Sequence, residues 1–184
     1  MSERRSRADA IDAVTGVFRD NGYEGASLSD LAGATGLGRS SLYHYFPGGK
    51  ADMAAASLEA VNRSMEGLSS DLDAMPSARD RWTRLAGHMN EFYVGGRKPC
   101  LLGAFATGLE SLPQGPALAR AFRLQQGLFE GIALAAGASP QAAVHRAEDA
   151  VSRLQGGLIA ARALDDPQRF ARTLADIGEA LLKS

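Results

Sequence analysis

Apolar residues recur along this chain at spacings of three and four, and no stretch alternates with a period of two. Ile11, Val14 and Phe18 predict a helix over residues 4–21 that ends before Asn21-Gly22. Ser27 is placed to cap a short helix over 28–34, with Leu28, Leu31 and Ala32 on its inner face. Gly36 suits the left-handed position that closes it. A second short helix over 38–44 carries Leu42 and either Tyr45 or Phe46 inward, until Pro47-Gly48-Gly49 breaks it. A long helix then runs over 50–73 and stops at Met75-Pro76. Beyond it the pattern predicts helices over 78–95, 100–111, 116–136, 140–164 and 167–182. Trp82, Leu85, Met89 and Phe92 define one face of the first of these, and Phe170, Leu174, Ile177 and Leu181 one face of the last.

About nine helices and no strand make the class all-α. Composition agrees: 33 Ala and 22 Leu stand against 15 Val, Ile and Thr together. The three short helices form one unit, residues 1–49. Residues 50–184 form a larger helical bundle, and the helix from Lys50 joins the two. In a chain of 184 residues, 20 Lys and Arg against 21 Asp and Glu exclude binding of nucleic acid through a uniformly basic surface. One cysteine, Cys100, excludes an internal disulfide and a cysteine-based zinc site. The charged N-terminus has no signal-peptide core, and the longest weakly polar run, Gly131 to Ala138, is too short to span a bilayer. The expectation is a soluble, cytoplasmic protein with no membrane partner and no cofactor.

The segment SLSDLAGATGLGRSSLYHYFPGGK, from Ser27 to Lys50, holds two short helices around a glycine-containing turn, the pattern of a helix-turn-helix. Its second helix offers Arg39, Ser40, Ser41, Tyr43 and His44, all hydrogen-bond donors suited to phosphates or base edges. Charge is arranged locally to match. Residues 1–60 carry 6 basic and 8 acidic side chains, yet Leu31 to Ala51 holds Arg39, Lys50 and no acid. Arg4, Arg5 and Arg7 form a second basic cluster at the N-terminus.

Phe18, Gly22, Ser27-Leu28, Leu31-Ala32, Gly36-Leu37, Leu42-Tyr43, Tyr45-Phe46 and Lys50, in that order, resemble the TetR-type bacterial transcriptional regulators. The resemblance covers residues 4–55 in sequence, and the helix count beyond Pro76 resembles that family's ligand-binding, dimerising domain. It implies that the helix from Gly38 is the recognition helix, with Arg39 and Ser41 as base contacts. It further implies that Ser27, Tyr43, Tyr45 and Lys50 hold phosphates. Gly38 departs from the Ser or Thr common at this N-cap, so a capping bond is missing. FPGGK at 46–50 and the Cys100–Ala104 segment resemble the drug- and flavonoid-responsive subgroup related to lincomycin-resistance regulators.

The larger domain concentrates Trp82, Met89, Phe92, Phe105, Leu109, Phe122, Phe129 and Leu154 on its helices, with Gln125 among them. Such a stripe is ordinary core unless a cavity opens within it, in which case ring-lined walls take a flat apolar ligand. His88, Asn90, Gln125 and Gln126 are the polar groups available to orient one. Cys100 follows Arg97 and Lys98, a setting for a reactive thiol, against the simpler reading of an idle buried one. His88 and Glu91, at i and i+3, lack a third metal ligand nearby. No nucleophile, zinc, P-loop or dinucleotide motif is present, so enzymatic activity has no support.

The function expected is a homodimeric repressor of a palindromic double-stranded operator, released by a small apolar or aromatic effector. Its two-fold contact is expected on the last two helices through Ala147, Val151, Ile159, Ala163, Ala171, Ala175 and Gly178, with Leu154 and Leu158 facing inward. One alternative is an activating or ligand-independent regulator of the same fold. The other is a small-molecule-binding or catalytic bundle with a vestigial DNA domain.

Overall fold

The computed structural model describes residues 6–108, 110 and 112–183; the side chain of Arg39 lies outside that description. Nine helices occur among the described residues: α1 (Arg7–Gly25), α2 (Leu28–Thr35), α3 (Arg39–Tyr45), α4 (Lys50–Asp73), α5 (Ala78–Phe92), α6 (Leu101–Ala106), α7 (Gly115–Ala135), α8 (Pro140–Ala163) and α9 (Pro167–Leu182). None of the described residues is in a strand. Most ends follow local chemistry. Ser6 and Asp9 cap α1 reciprocally, Ser27 and Asp30 cap α2 in the same way, and Ser77, Ser139 and Asp166 cap α5, α8 and α9.

Three boundaries differ from expectation. Asn21-Gly22 does not end α1: Gly22 takes φ 70°, which only glycine adopts without strain, and the helix resumes beyond this kink to Gly25. Helix α5 stops at Phe92, because Val94, Gly95 and Gly96 all have positive φ. The resulting turn lies so close to Phe170 that a Cβ on Gly96 would stand 2.5 Å from the Phe170 Cβ. Helix α6 has six residues instead of twelve, and just beyond its end the Thr107 hydroxyl donates back to the Ala104 carbonyl at 2.9 Å.

The chain forms two compact units. The first comprises residues up to Asn62 together with Leu101–Ala121. Its core is built from Val14, Phe18, Leu31, Leu42, Phe46, Met53 and Leu58, all buried. Phe105 joins them: its ring meets Phe18 at 5.3 Å and Tyr23 at 6.2 Å, both edge-on. This wedge is why α6 groups with the N-terminal helices, so compactness divides the chain inside α4, where the sequence expectation sets the boundary at residue 49.

The second unit comprises Arg63–Cys100 and the residues from Phe122 on. Here α8 and α9 bury Ala150, Leu154 and Leu158 together with Phe170, Leu174, Ile177 and Leu181. The Trp82 indole of α5 lies against Gly178 of α9, where an added Cβ would stand 2.2 Å from Nε1.

Candidate nucleic-acid interface and effector site

Helix α2 ends at Gly36, with φ 61° and ψ 15°, and its N–H donates to the Gly33 carbonyl. Buried Thr35 braces the turn: its hydroxyl donates to the Ala32 carbonyl at 2.8 Å and accepts from the Leu37 N–H at 3.2 Å. Gly38 then opens α3 in extended conformation with no side-chain cap. Leu42 and Phe46 are buried while Tyr45 is half-buried, so of the two expected inward rings Phe46 is the one that anchors α3. The opposite face presents Ser40, Ser41, Tyr43 and His44 to solvent, with Tyr43 48% exposed. A short helix held on an apolar core thus displays a row of donors, the arrangement that base and phosphate recognition requires.

Ser27 and Lys50, expected as phosphate contacts, are engaged inside the protein. The Ser27 hydroxyl donates to the Asp30 carboxylate at 2.6 Å and accepts from the Asp30 N–H at 3.1 Å. Lys50 Nζ donates to the Glu24 carbonyl at 3.2 Å and lies 4.8 Å from the centre of the Tyr23 ring. A cation at the last carbonyls of α1 complements the helix dipole, so Lys50 pins the start of α4 to the end of α1. Arg7 is likewise drawn over the Phe46 ring, at 5.7 Å, while Arg4 and Arg5 lie outside the described residues.

The described residues of the expected effector wall fall in both units. Phe105 belongs to the first unit, wedged against Phe18 and Tyr23, and Leu109 lies outside the described residues. Phe92 is 37% exposed and stacks with His88 at 6.0 Å; the next ring, Tyr93, turns inward in its place. The helix ends there, so the extrapolated periodicity of α5 misassigns which ring is inside. Met89, Phe129 and Leu154 are buried in the second unit, and Trp82 and Phe122 are half-buried there. Gln125 is 4% exposed and its side-chain oxygen has no hydrogen-bond partner. Asn62, which the sequence reading passed over, is 2% exposed and its Oδ1 is also unpartnered. Its position four residues after Leu58, on the buried face of α4, is the signal that could have found it. Each such buried orphan acceptor costs about 1–3 kcal/mol.

Other expectations resolve locally. Cys100 is buried, with the Tyr93 hydroxyl and the Gln155 amide each 3.4 Å from its sulfur, the environment of the idle thiol. Burial, and secondarily the Arg84 charge, lower the His88 pKa below its usual 6.5 against the opposing pull of Glu91. No group of three metal-ligating side chains occurs among the described residues, and none of their helices is long and apolar enough to cross a membrane. On α8 and α9, Leu154 and Leu158 face inward as expected, but so do Ala147 and Gly178, the latter beneath Trp82. Exposed Ile159, Ala163, Ala171 and Ala175 lie outside that core. Beside them Gly156, Gly157, Arg169 and Asp176 line an open cleft of about 500 Å³.

Residues 10–57, from the start of the α1 core into α4, match the bacterial regulatory proteins of the tetR family. Those residues carry the DNA-binding domain of that family. The chain is 27% identical over 168 residues to the HTH-type transcriptional regulator LmrA of Bacillus subtilis strain 168, covering 86% of this chain and 87% of the relative. The TetR-family fold extends over the whole molecule. A TetR transcriptional regulator from Legionella pneumophila superposes with a TM-score of 0.86 at 22% identity, covering 97% of this chain and 98% of the other. The regulator FadR from Bacillus subtilis, solved in complex with stearoyl-CoA, superposes with a TM-score of 0.65 at 16% identity, over 97% and 98% of the two chains.

Proposed function

We propose that this protein is a TetR-family repressor that binds a palindromic operator as a homodimer and releases it on binding a small apolar or aromatic effector. The observation that carries the reading is α3, whose buried face is held by Leu42 and Phe46 while Ser40, Ser41, Tyr43 and His44 are exposed as donors. Residues 1–49 supply the DNA-binding module, with Arg39 and Ser41 at base edges and Tyr43 at the backbone. Residues 50–184 take the effector and form the dimer, through exposed Ile159, Ala163, Ala171 and Ala175. A protein engaged with an operator works in the cytoplasm.

Two findings support an apolar effector. The second unit buries the rings of Tyr93, Phe129 and Phe170 in its interior, and a structural neighbour, FadR, was solved in complex with stearoyl-CoA. Helix α4 couples the two functions because it begins at the Lys50 anchor on α1 and runs on into the second unit. An effector that prefers the DNA-incompetent state about 100-fold at each of two sites shifts the balance by about 5.5 kcal/mol, enough to empty the operator.

The test is a titration of the full-length protein against DNA from its own upstream region at several salt concentrations. Binding should weaken steeply with salt, and operator should weaken effector binding by the factor by which effector weakens operator binding. Binding that does not depend on sequence would refute the operator reading. A panel of aromatic and acyl compounds that never releases DNA would refute the effector reading.

A further inference from the structure

The turn between α3 and α4, Pro47-Gly48-Gly49, is held by contacts from both helices. The Gly49 N–H donates to the Phe46 carbonyl at 2.9 Å, and the Gly49 carbonyl accepts from the Met53 N–H at 3.1 Å. The Gly48 N–H donates to the Asp52 carboxylate at 2.5 Å, across the first turn of α4. That carboxylate fills the space beside Gly48: a Cβ there would stand 2.5 Å from Asp52 Oδ1. Gly49 is glycine for its φ of 65°, whereas Gly48 lies outside the left-handed region and is glycine for room. The ring of Tyr43 lies beside the same turn, its Cε1 3.8 Å from where a Cβ on Gly49 would be. Tyr43 is one of the exposed donors of α3.

We infer that Asp52 is a positioning residue for DNA binding: by holding the Gly48 N–H, its carboxylate fixes the turn that seats the Tyr43 ring and so sets where the Tyr43 hydroxyl stands. The inference rests on the reading of α3 as the DNA-facing helix. Charge and positioning predict opposite signs for the loss of Asp52. A carboxylate beside a DNA-facing surface repels phosphates, so its charge alone makes binding weaker and its removal should tighten the complex. A carboxylate that holds the turn strengthens binding, and its removal should cost no more than loss of the Tyr43 hydroxyl itself. Asparagine keeps an acceptor for the Gly48 N–H without the charge, and alanine keeps neither, so the two substitutions separate the two effects.

The experiment measures the affinity of the full-length protein for DNA from its own upstream region, well below the melting temperature of each variant. Asp52→Asn should bind at least as tightly as the wild-type protein, and Asp52→Ala about three- to tenfold more weakly. In a Tyr43→Phe background the difference between Asp52→Asn and Asp52→Ala should vanish, a coupling that a merely structural cap would not show. Gly48→Ala reaches the same contact from the other side. Its methyl displaces the carboxylate, so it should match Asp52→Ala in affinity and add nothing to it in the double variant. If Asp52→Ala does not fold, Gly48→Ala with and without Tyr43→Phe decides the matter alone. Equal binding by the Asp52→Asn and Asp52→Ala proteins, or a loss that persists with Tyr43→Phe, would overturn the inference and leave the DNA-binding reading intact. So would a Gly48→Ala protein that binds like the wild type. If the wild-type protein itself binds no DNA specifically, the reading of α3 fails and the inference falls with it.

Discussion

Gly178→Ala probes how α5 is seated on α9. The added Cβ would stand 2.2 Å from Trp82 Nε1, 2.6 Å from Cε2 and 2.9 Å from Cδ1. Favourable contact begins near 3.5 Å, so the indole must withdraw by more than about 1 Å. Overpacking of this kind costs about 1–3 kcal/mol. Exchanging glycine for alanine inside a helix returns about 0.5–1 kcal/mol, leaving a net loss of about 1 kcal/mol or somewhat more. For a chain of this size that lowers the melting temperature by about 2–4 °C per kcal/mol. Trp82 is the only tryptophan in the chain, so its emission reports the displacement directly and should move to the red. The decisive comparison is the same substitution in a Trp82→Ala background. With the ring gone, only the helix-propensity gain remains, and Gly178→Ala should stabilise by about 0.5–1 kcal/mol. Chemical denaturation of the four proteins gives both values. A Gly178→Ala protein as stable as its parent, with unchanged Trp82 emission, would refute the packing argument.

Lys50→Ala should destabilise the first unit by about 1 kcal/mol through loss of the Glu24 carbonyl and Tyr23 ring contacts, with operator affinity falling while its salt slope stays the same. A slope that drops by about 1 would instead mark Lys50 as a phosphate contact. Tyr43→Phe should weaken all DNA sequences alike, whereas Arg39→Ala should flatten preference at one position per half-site, at a cost of about 1–3 kcal/mol, as read by selection from a randomised site. Ile159→Glu, at a side chain 66% exposed in the protomer, should leave the monomer folded and raise the dimer dissociation constant in sedimentation experiments. Because the folded-state pKa of His88 is held below 6.5, the unfolded chain takes up this proton first as pH falls. Stability should therefore be complete above about 6.5 and decline below it, and His88→Gln should flatten that part of the stability curve.

Helix positions and the DNA-facing module were legible in the residues because their causes are local. A serine three residues before an aspartate, a glycine in the left-handed region at 36 and a proline at 140 or 167 act within one turn of helix, whatever the rest of the chain does. The exposure of Ser40, Ser41, Tyr43 and His44 follows from the same short-range periodicity, once Leu42 and Phe46 face inward. Tertiary packing decided what each side chain touches. The sequence puts Phe105 and Phe92 on inner faces and Gly178 on the two-fold contact, but the first packs on Phe18 and Tyr23, the second is turned outward at the end of α5, and the third is buried where it makes room for an indole. Lys50 reads as a donor for DNA, and folding brings the Glu24 carbonyl within its reach. The unpartnered oxygens of Asn62 and Gln125 are wholly tertiary facts. An amide has the same composition whether or not the fold leaves it a donor, and only the close packing around it turns a polar residue into a demand for one.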